Sequence, residues 1–217
     1  VNTPAAAEPP ARPIRLHRFS LSGHAHRVEL FLSLLGLPFE LIEVDLARGE
    51  QKSPSFLAMN LFAQVPVIQD GELTLADSNA ILTYLALRYD ASGHWLPRDP
   101  WGAALVQRWL SVAAGALASG PARARAAAVF GTPIDPRCAE TAVTLFTRMN
   151  AQLADAPFLT GSTPTIADVA LYSYTAHAPE GGITLQPYGH VQRWLQGIEA
   201  LPGFVGMERR PALAAAT

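Results

Sequence analysis

Hydrophobic periodicity changes character once along this 217-residue chain, near residue 90, and that change restricts the fold more than any other feature. Before it, IRLHRF (14–19) alternates apolar and polar residues as a strand does. HAHRVELFLSLL (24–35) places Val28, Leu32 and Leu35 on one helical stripe that stops at Gly36. FELIEV (39–44) reads as a second strand and SPSFLAMN (53–60) as a short helix. VPVIQ (65–69) and ELTLA (72–76) form a predicted hairpin across Asp70-Gly71, and Asp77 to Tyr89 carries helical spacing through Ala80, Ile81, Tyr84 and Leu85. The order is β-α-β-α-β-β-α. Beyond it strand signals almost vanish, and helices are expected at about 101–118, 136–154, 165–178 and 188–200, each bounded by Gly or Pro. PARARAAA (121–128) suits either a helix extension or a mobile loop.

These patterns predict an α/β plus all-α fold: a flexible Pro/Ala-rich leader at 1–13, an α/β domain at 14–90, a linker at 91–100 and an all-helical domain at 101–217. The leader lacks the apolar run of a secretory signal, and no apolar stretch approaches the roughly 20 residues of a membrane span. Sixteen Lys+Arg against eighteen Asp+Glu give net charge −2, so there is no global basic field for nucleic acid or an anionic membrane. Neither is expected as a partner. The single cysteine, Cys138, excludes an internal disulfide and any CxxC metal or redox site made by this chain alone, which suits a reducing compartment. Fifteen of the sixteen basic residues are Arg, and Lys52 is the only Lys.

Four motifs carry chemistry. In LSGHAHRV (21–28), Ser22 stands where the first helix begins: it is an N-cap, or a hydroxyl that donates to a thiolate in the positive field of the helix start. His24 and His26 follow, either as a base or as helical histidines without chemistry. In Gln64-Val65-Pro66, a proline entering a sheet implies an edge or a cis turn, the latter leaving the Val65 backbone free to pair with an extended peptide. Asp77-Ser78 opens a helix as a capping pair, or receives a carboxylate on its free N–H groups with Asp77 meeting an ammonium. Gln51-Lys52 precedes the short helix, where Lys52 is either a solvated charge or the partner of a second carboxylate.

Taken in order, SGHAHRV, GEQKSPSFLAMN and QVPVIQDGELTLADSNAILTYLALRY resemble the thioredoxin-like domain of the cytosolic glutathione transferases. GSTPTIADVAL (161–171) looks like that family's helix-capping motif, in which Thr165 and Asp168 form a capping box with a folding role. The resemblance covers about residues 14–205.

It implies a serine-type glutathione S-transferase. Ser22, five residues ahead of Arg27-Val28, takes the catalytic position, and Ser20 is displaced by two. Gln51 and Lys52 match positions that bind the glycine carboxylate of glutathione, and Gln64 a supporting contact. Val65 matches the backbone pairing to the cysteinyl unit, Pro66 the cis proline, and Asp77 with Ser78 the γ-glutamyl end. Two departures stand out: Asn60-Leu61-Phe62-Ala63 replaces the usual Asn-Pro-Phe-Gly, and Asp77-Ser78 the commoner Glu-Ser.

The implied chemistry is activation of the glutathione thiol, without a metal, for attack on a small hydrophobic electrophile held against Arg108, Trp109 and Val112. A glutathione-dependent disulfide reductase or peroxidase, or a non-enzymatic binding protein, would share the fold. The resemblance further implies a cytoplasmic homodimer, and the basic, Ala-rich segment suggests that Arg123 or Arg125 reaches the neighbouring subunit's site. Cys138 is expected on a helix away from the site.

Overall fold

A computed structural model describes residues 8–210. The leader read over 1–13 and the helical domain read over 101–217 therefore extend, at 1–7 and 211–217, outside the described residues.

Strand β1 (Ile14–Arg18) leads through helix α1 (Gly23–Leu34) to β2 (Phe39–Glu43), which pairs with β1 in parallel. After a 3-10 turn at Glu50–Lys52 and the one-turn helix α2 (Pro54–Leu57), β3 (Val67–Asp70) returns antiparallel to β1 and β4 (Leu73–Ala76) pairs antiparallel to β3. The sheet order is β2-β1-β3-β4. Because Asp70 pairs with Leu73, the hairpin turns at Gly71-Glu72, one residue later than the sequence suggests. Gly71 takes the first turn position at φ +59°, the left-handed region that glycine enters without a Cβ clash.

Helix α3 (Ser78–Tyr89) lies beside α1, and the two bury Val28, Phe31, Leu32, Ile81 and Leu85 against the Ile14, Leu16 and Ile68 side of the sheet. On the other side α2 contributes Phe56 to a small cluster with Val44 and Val67. Burial of one face by long helices and the other by one turn follows from the sequence, since 53–60 has too few apolar positions for a longer amphipathic helix.

From Pro100 to Phe130 the chain is one continuous helical run: α4 (Pro100–Val112), a π-helical stretch (Ala113–Ala122) and α5 (Arg123–Phe130). Asp99 caps its start, accepting from the Gly102 N–H at 2.8 Å. The sequence reading ends a helix at 118 because Gly120-Pro121 should break it. The wider π turn accommodates Pro121, so 121–128 is the helix extension and not a loop.

Helices α6 (Arg137–Gln152), α7 (Ile166–Ala176) and α8 (Gly189–Glu199) complete the bundle. Helix α7 is buried along its whole length and packs against α1, α3, α4 and α8. Thr165 and Asp168 form the expected capping box at its start. The Asp168 carboxylate also accepts from the Leu159 N–H at 2.9 Å and the Trp194 Nε1–H at 2.8 Å, tying α8 to the cap. Gly23 shows how closely α1 approaches α7: a Cβ there would meet the Tyr174 ring at 2.8 Å. Among the described residues no helix is long and apolar enough to cross a membrane.

Candidate functional site

The first turn of α1, the loop from Asn60 to Pro66, the β4–α3 turn and the π stretch converge on a cavity of about 510 Å³. Its wall includes His24, Arg27, Gln64, Val65, Pro66, Asp77 and Ser78, with Ala114 and Ala118 opposite from the long helix. Ser22 lies at the N-terminus of the helix that supplies His24 and Arg27 to this wall, and is not itself on it. Its Oγ accepts from the Ala25 N–H at 3.3 Å, which leaves its O–H available as a donor.

Val65-Pro66 is a cis peptide. Val65 precedes the sheet ladder, which starts at Val67, and takes no part in the described backbone hydrogen bonds. The preceding loop is fastened from inside: Asn60 Nδ2 donates to the Gln64 carbonyl at 2.8 Å, and the Phe62 N–H donates to Asn60 Oδ1 at 3.0 Å. Ala63 sits at φ +53°. This left-handed position costs an L-residue about 1–2 kcal/mol, which explains why glycine would suit it better.

Asp77 caps α3 through Oδ1, which accepts from the Ala80 N–H at 2.9 Å, and holds φ +71° with ψ 119°. Such a conformation costs about 1–3 kcal/mol and is typical of sites where a side chain is aimed for a purpose. Ser78 is buried at the first helical position; its Oγ accepts from Arg27 Nη1 at 3.3 Å and lies 3.4 Å from His24 Nδ1.

Arg27 is the residue that the sequence reading used only to set register. Its guanidinium is 1% exposed and also donates to Asn79 Oδ1 at 2.9 Å. Nε and Nη2 have no partner among the described residues. Burial lowers its pKa to about 10, partly offset by Tyr174 and Asp77. A buried cation with two donors unpaired is costly to keep, and a cavity that it lines is a place for an anion. Its signal in the sequence is an arginine set in the mostly apolar helical stretch HAHRVELFLSLL (24–35), which the structure buries on nearly every side.

The two histidines separate. His24 stands edge-on to Tyr174, with ring centroids 4.9 Å apart. Burial and the nearby Arg27 charge lower its pKa to about 3, so it is neutral at pH 7. His26 turns away from the cavity, with Nδ1 2.8 Å from Ser173 Oγ and Nε2 donating to the Val205 carbonyl at 3.0 Å. It fastens α1 to α7 and to the C-terminal segment.

Other expected residues lie elsewhere. Gln51 and Lys52 occupy the 3-10 turn ahead of α2 and do not line the cavity; Lys52 is exposed, and Gln51 Oε1 is buried without a partner. Ser20 is at the end of β1, where its N–H donates to Glu43 Oε2 at 3.1 Å. Trp109 and Val112 line a different cavity of about 450 Å³ between α4 and α6, and Arg108 lies exposed over the Trp109 ring. The expectation that these three hold a ligand beside Ser22 is therefore corrected. Helix α4 is apolar on more than one side, so sequence did not say which side faces the α/β domain. Arg125 points into its own chain, while Arg123 is exposed and 4.0 Å from Asp135. Cys138 is buried on α6 away from the cavity. Among the described residues no three His, Cys, Asp or Glu gather as metal ligands would.

Residues 14–87 match the family model "Glutathione S-transferase, N-terminal domain", and residues 103–215 match "Glutathione S-transferase, C-terminal domain". The chain belongs to the glutathione S-transferase family. It is 31% identical to glutathione S-transferase theta-1 of Bos taurus over 203 residues, covering 88% of this chain and 85% of the bovine protein. It is likewise 31% identical to glutathione S-transferase 3 of Zea mays over 205 residues, covering 88% and 91% of the two chains. A glutathione S-transferase crystal structure from Pseudomonas fluorescens superposes with a TM-score of 0.84 at 32% identity, covering 90% of this chain and 99% of that one. The four-stranded sheet with its helices is thus the thioredoxin-like domain of a glutathione S-transferase, and the bundle is its helical domain.

Proposed function

We propose that this transferase binds glutathione along the 510 Å³ cavity and uses the Ser22 hydroxyl to hold its sulfur as a thiolate, which then attacks a small hydrophobic electrophile. The observation that carries the reading is one cavity with an anion-seeking end and an unpaired backbone edge: Arg27, Ser78 and the α3 N-terminus at one side, Val65 beside them. A γ-glutamyl group brings a carboxylate to Arg27, Ser78 and the α3 start, and an ammonium to Asp77. The cysteinyl unit pairs with the Val65 N–H and C=O, which turns its sulfur toward Ser22, while Gln64 supports that contact. The glycine carboxylate reaches the turn that carries Gln51 and Lys52.

A free thiol has a pKa of about 8.5 and is only a few per cent ionised at pH 7. Lowering it by about two units takes about 2.7 kcal/mol. One hydrogen bond to a charged acceptor supplies about 1.5–3 kcal/mol, and the α1 dipole adds a few tenths. The thiol proton passes to solvent. The sulfur lone pair forms the new bond to carbon, and the leaving group departs with its electron pair. His24, neutral at pH 7, adds no charge to this balance.

Retention on immobilised glutathione and release by free glutathione tests the binding step. Parallel assays with an aryl halide and a mixed disulfide test the reaction, turnover of the disulfide alone being the result that rejects conjugation. In this reading the enzyme serves detoxification in the cytoplasm, where glutathione is kept reduced.

We also infer a homodimer. Leu61 and Phe62, on the α2–β3 loop, are 85% and 83% exposed, which is unusual for adjacent large apolar residues. The groove between α4 and α6 offers apolar walls from Trp109, Val112 and Leu145 in a volume of about 450 Å³. Seating each Phe62 in the groove of a second copy gives a closed two-fold contact. Phe62 also lines the glutathione cavity, so the same contact steadies that wall.

A further inference from the structure

The sequence reading sent Arg125 toward a neighbouring subunit, but the structure turns it the other way. The residue is on α5, 1% exposed, and its Nη1 donates to the Leu21 carbonyl at 2.6 Å. That carbonyl belongs to the Leu21–Ser22 peptide, whose N–H donates to the Phe19 carbonyl at 2.8 Å. Both ends of the peptide plane that leads into Ser22 are therefore held, one of them by the helical domain.

The guanidinium is itself anchored. Its Nε donates to Glu180 Oε2 at 2.8 Å, and Glu180 Oε1 takes the His177 Nδ1–H at 2.5 Å and the Arg210 N–H at 3.2 Å. The 3-10 turn that carries Glu180 comes close enough to α5 that a Cβ on Gly181 would meet the Arg125 backbone nitrogen at 2.7 Å. Nη2 of Arg125 is buried without a partner among the described residues. An ion pair kept in the interior with a donor unpaired is a poor device for stability alone, since apolar residues of the same volume often do as well.

We propose that Arg125 is a positioning residue for catalysis: through the Leu21 carbonyl it fixes the N-cap geometry of Ser22, so that the hydroxyl points its O–H at the glutathione sulfur. The proposal rests on the assignment of Ser22 as thiolate donor. Arginine suits the task because its fork holds Glu180 and the Leu21 carbonyl at once, whereas a lysine ammonium lacks that planar two-way geometry. The charged and titratable groups around it are Glu180 and His177, with His26 on α1 and Arg209 further off. Burial would raise the Glu180 carboxyl, but His177, the Arg210 N–H and Arg125 together hold it below its ordinary range. His177 is pushed down by burial against the pull of Glu180.

The test is a double-mutant cycle on the full-length enzyme, comparing Ser22→Ala, Arg125→Lys and the double variant. The readouts are the ultraviolet absorbance of the bound thiolate against pH and the glutathione dissociation constant. Arg125→Lys is expected to lower the thiolate-to-thiol ratio about tenfold, a rise of about one pK unit, with glutathione affinity within about twofold of wild type. In the Ser22→Ala background it should change nothing further. An equal shift in both backgrounds shows a direct field effect and overturns the proposal, as does a lowered melting temperature with an unchanged thiol titration. If Ser22→Ala leaves the titration unchanged, the failure belongs to the Ser22 assignment instead. Should Arg125→Lys not fold, Glu180→Gln releases the guanidinium from its ionic anchor while keeping an acceptor. It is expected to raise the thiol pKa only where Ser22 is present, and no change there overturns the proposal.

Discussion

Replacing Ser22 by alanine separates the observed capping role of its hydroxyl from its proposed role at the glutathione sulfur. As a helix cap, Oγ accepts from the Ala25 N–H at 3.3 Å, and its loss costs about 1 kcal/mol of stability. As a donor to sulfur, it is asked for about 1.5–3 kcal/mol, equivalent to about one to two pK units. With a bound-thiol pKa near 6.5 the thiolate fraction at pH 7 is about three quarters, and near 8.5 it is about 3%. The variant should therefore lose about 25-fold at most in kcat at pH 7, shrinking to less than about twofold at pH 9, where both thiols are mostly ionised. Glutathione affinity should be nearly unchanged, because Gln64, Val65, Asp77 and Ser78 lie on other elements and Arg27, although on α1, is more than a turn beyond the cap. Steady-state turnover of an aryl halide from pH 5.5 to 9.5, with denaturant unfolding alongside, measures both roles. A pH–rate profile that keeps its wild-type inflection refutes the reasoning, whatever happens to stability.

Lys52→Ala should raise the glutathione KM more than it lowers kcat, because a carboxylate partner far from the sulfur contributes to ground-state and transition-state binding alike; steady-state kinetics with glutathione varied checks it. Asp168→Ala strands the buried N–H donors of Leu159, Thr165 and Trp194, at about 1–3 kcal/mol each, so urea unfolding should show a loss of at least about 3 kcal/mol. Phe62→Glu should convert a dimer to a monomer in light scattering, and a monomeric wild-type mass rejects the proposed contact. Acid should destabilise the fold through two buried histidines: burial lowers His24 to about 3 and His26 to about 4, so the unfolded chain binds more protons below pH 6.5. Stability contributed by these two neutral rings is full above pH 6.5 and falls as pH drops toward 4, by about 1–2 kcal/mol per ring at pH 5, measurable as a shift in the urea midpoint.

The order of elements, α/β first and helical after, was legible in the chain because its signals are local: alternation in 14–19, the stripe Val28, Leu32 and Leu35, and the capping box at Thr165 and Asp168 each act within a few residues. So were the capping positions of Ser22 and Asp77, since a cap is set by its own helix. What tertiary structure decided was orientation. Trp109 and Val112 face α6 because packing chose one side of a helix apolar on several. Pro121 stays inside a helix because a π turn gives its ring room, which no propensity scale anticipates. In the sequence Arg27 marks only the register of Ser22 and Arg125 is expected at a neighbouring subunit, yet each is buried beside groups 51 to 104 positions away in its own chain. Sequence fixes which groups are present and which turn of backbone they ride on. Long-range burial alone fixes the acceptors they meet, because the cost of an unpaired buried charge arises only once the domains close around it.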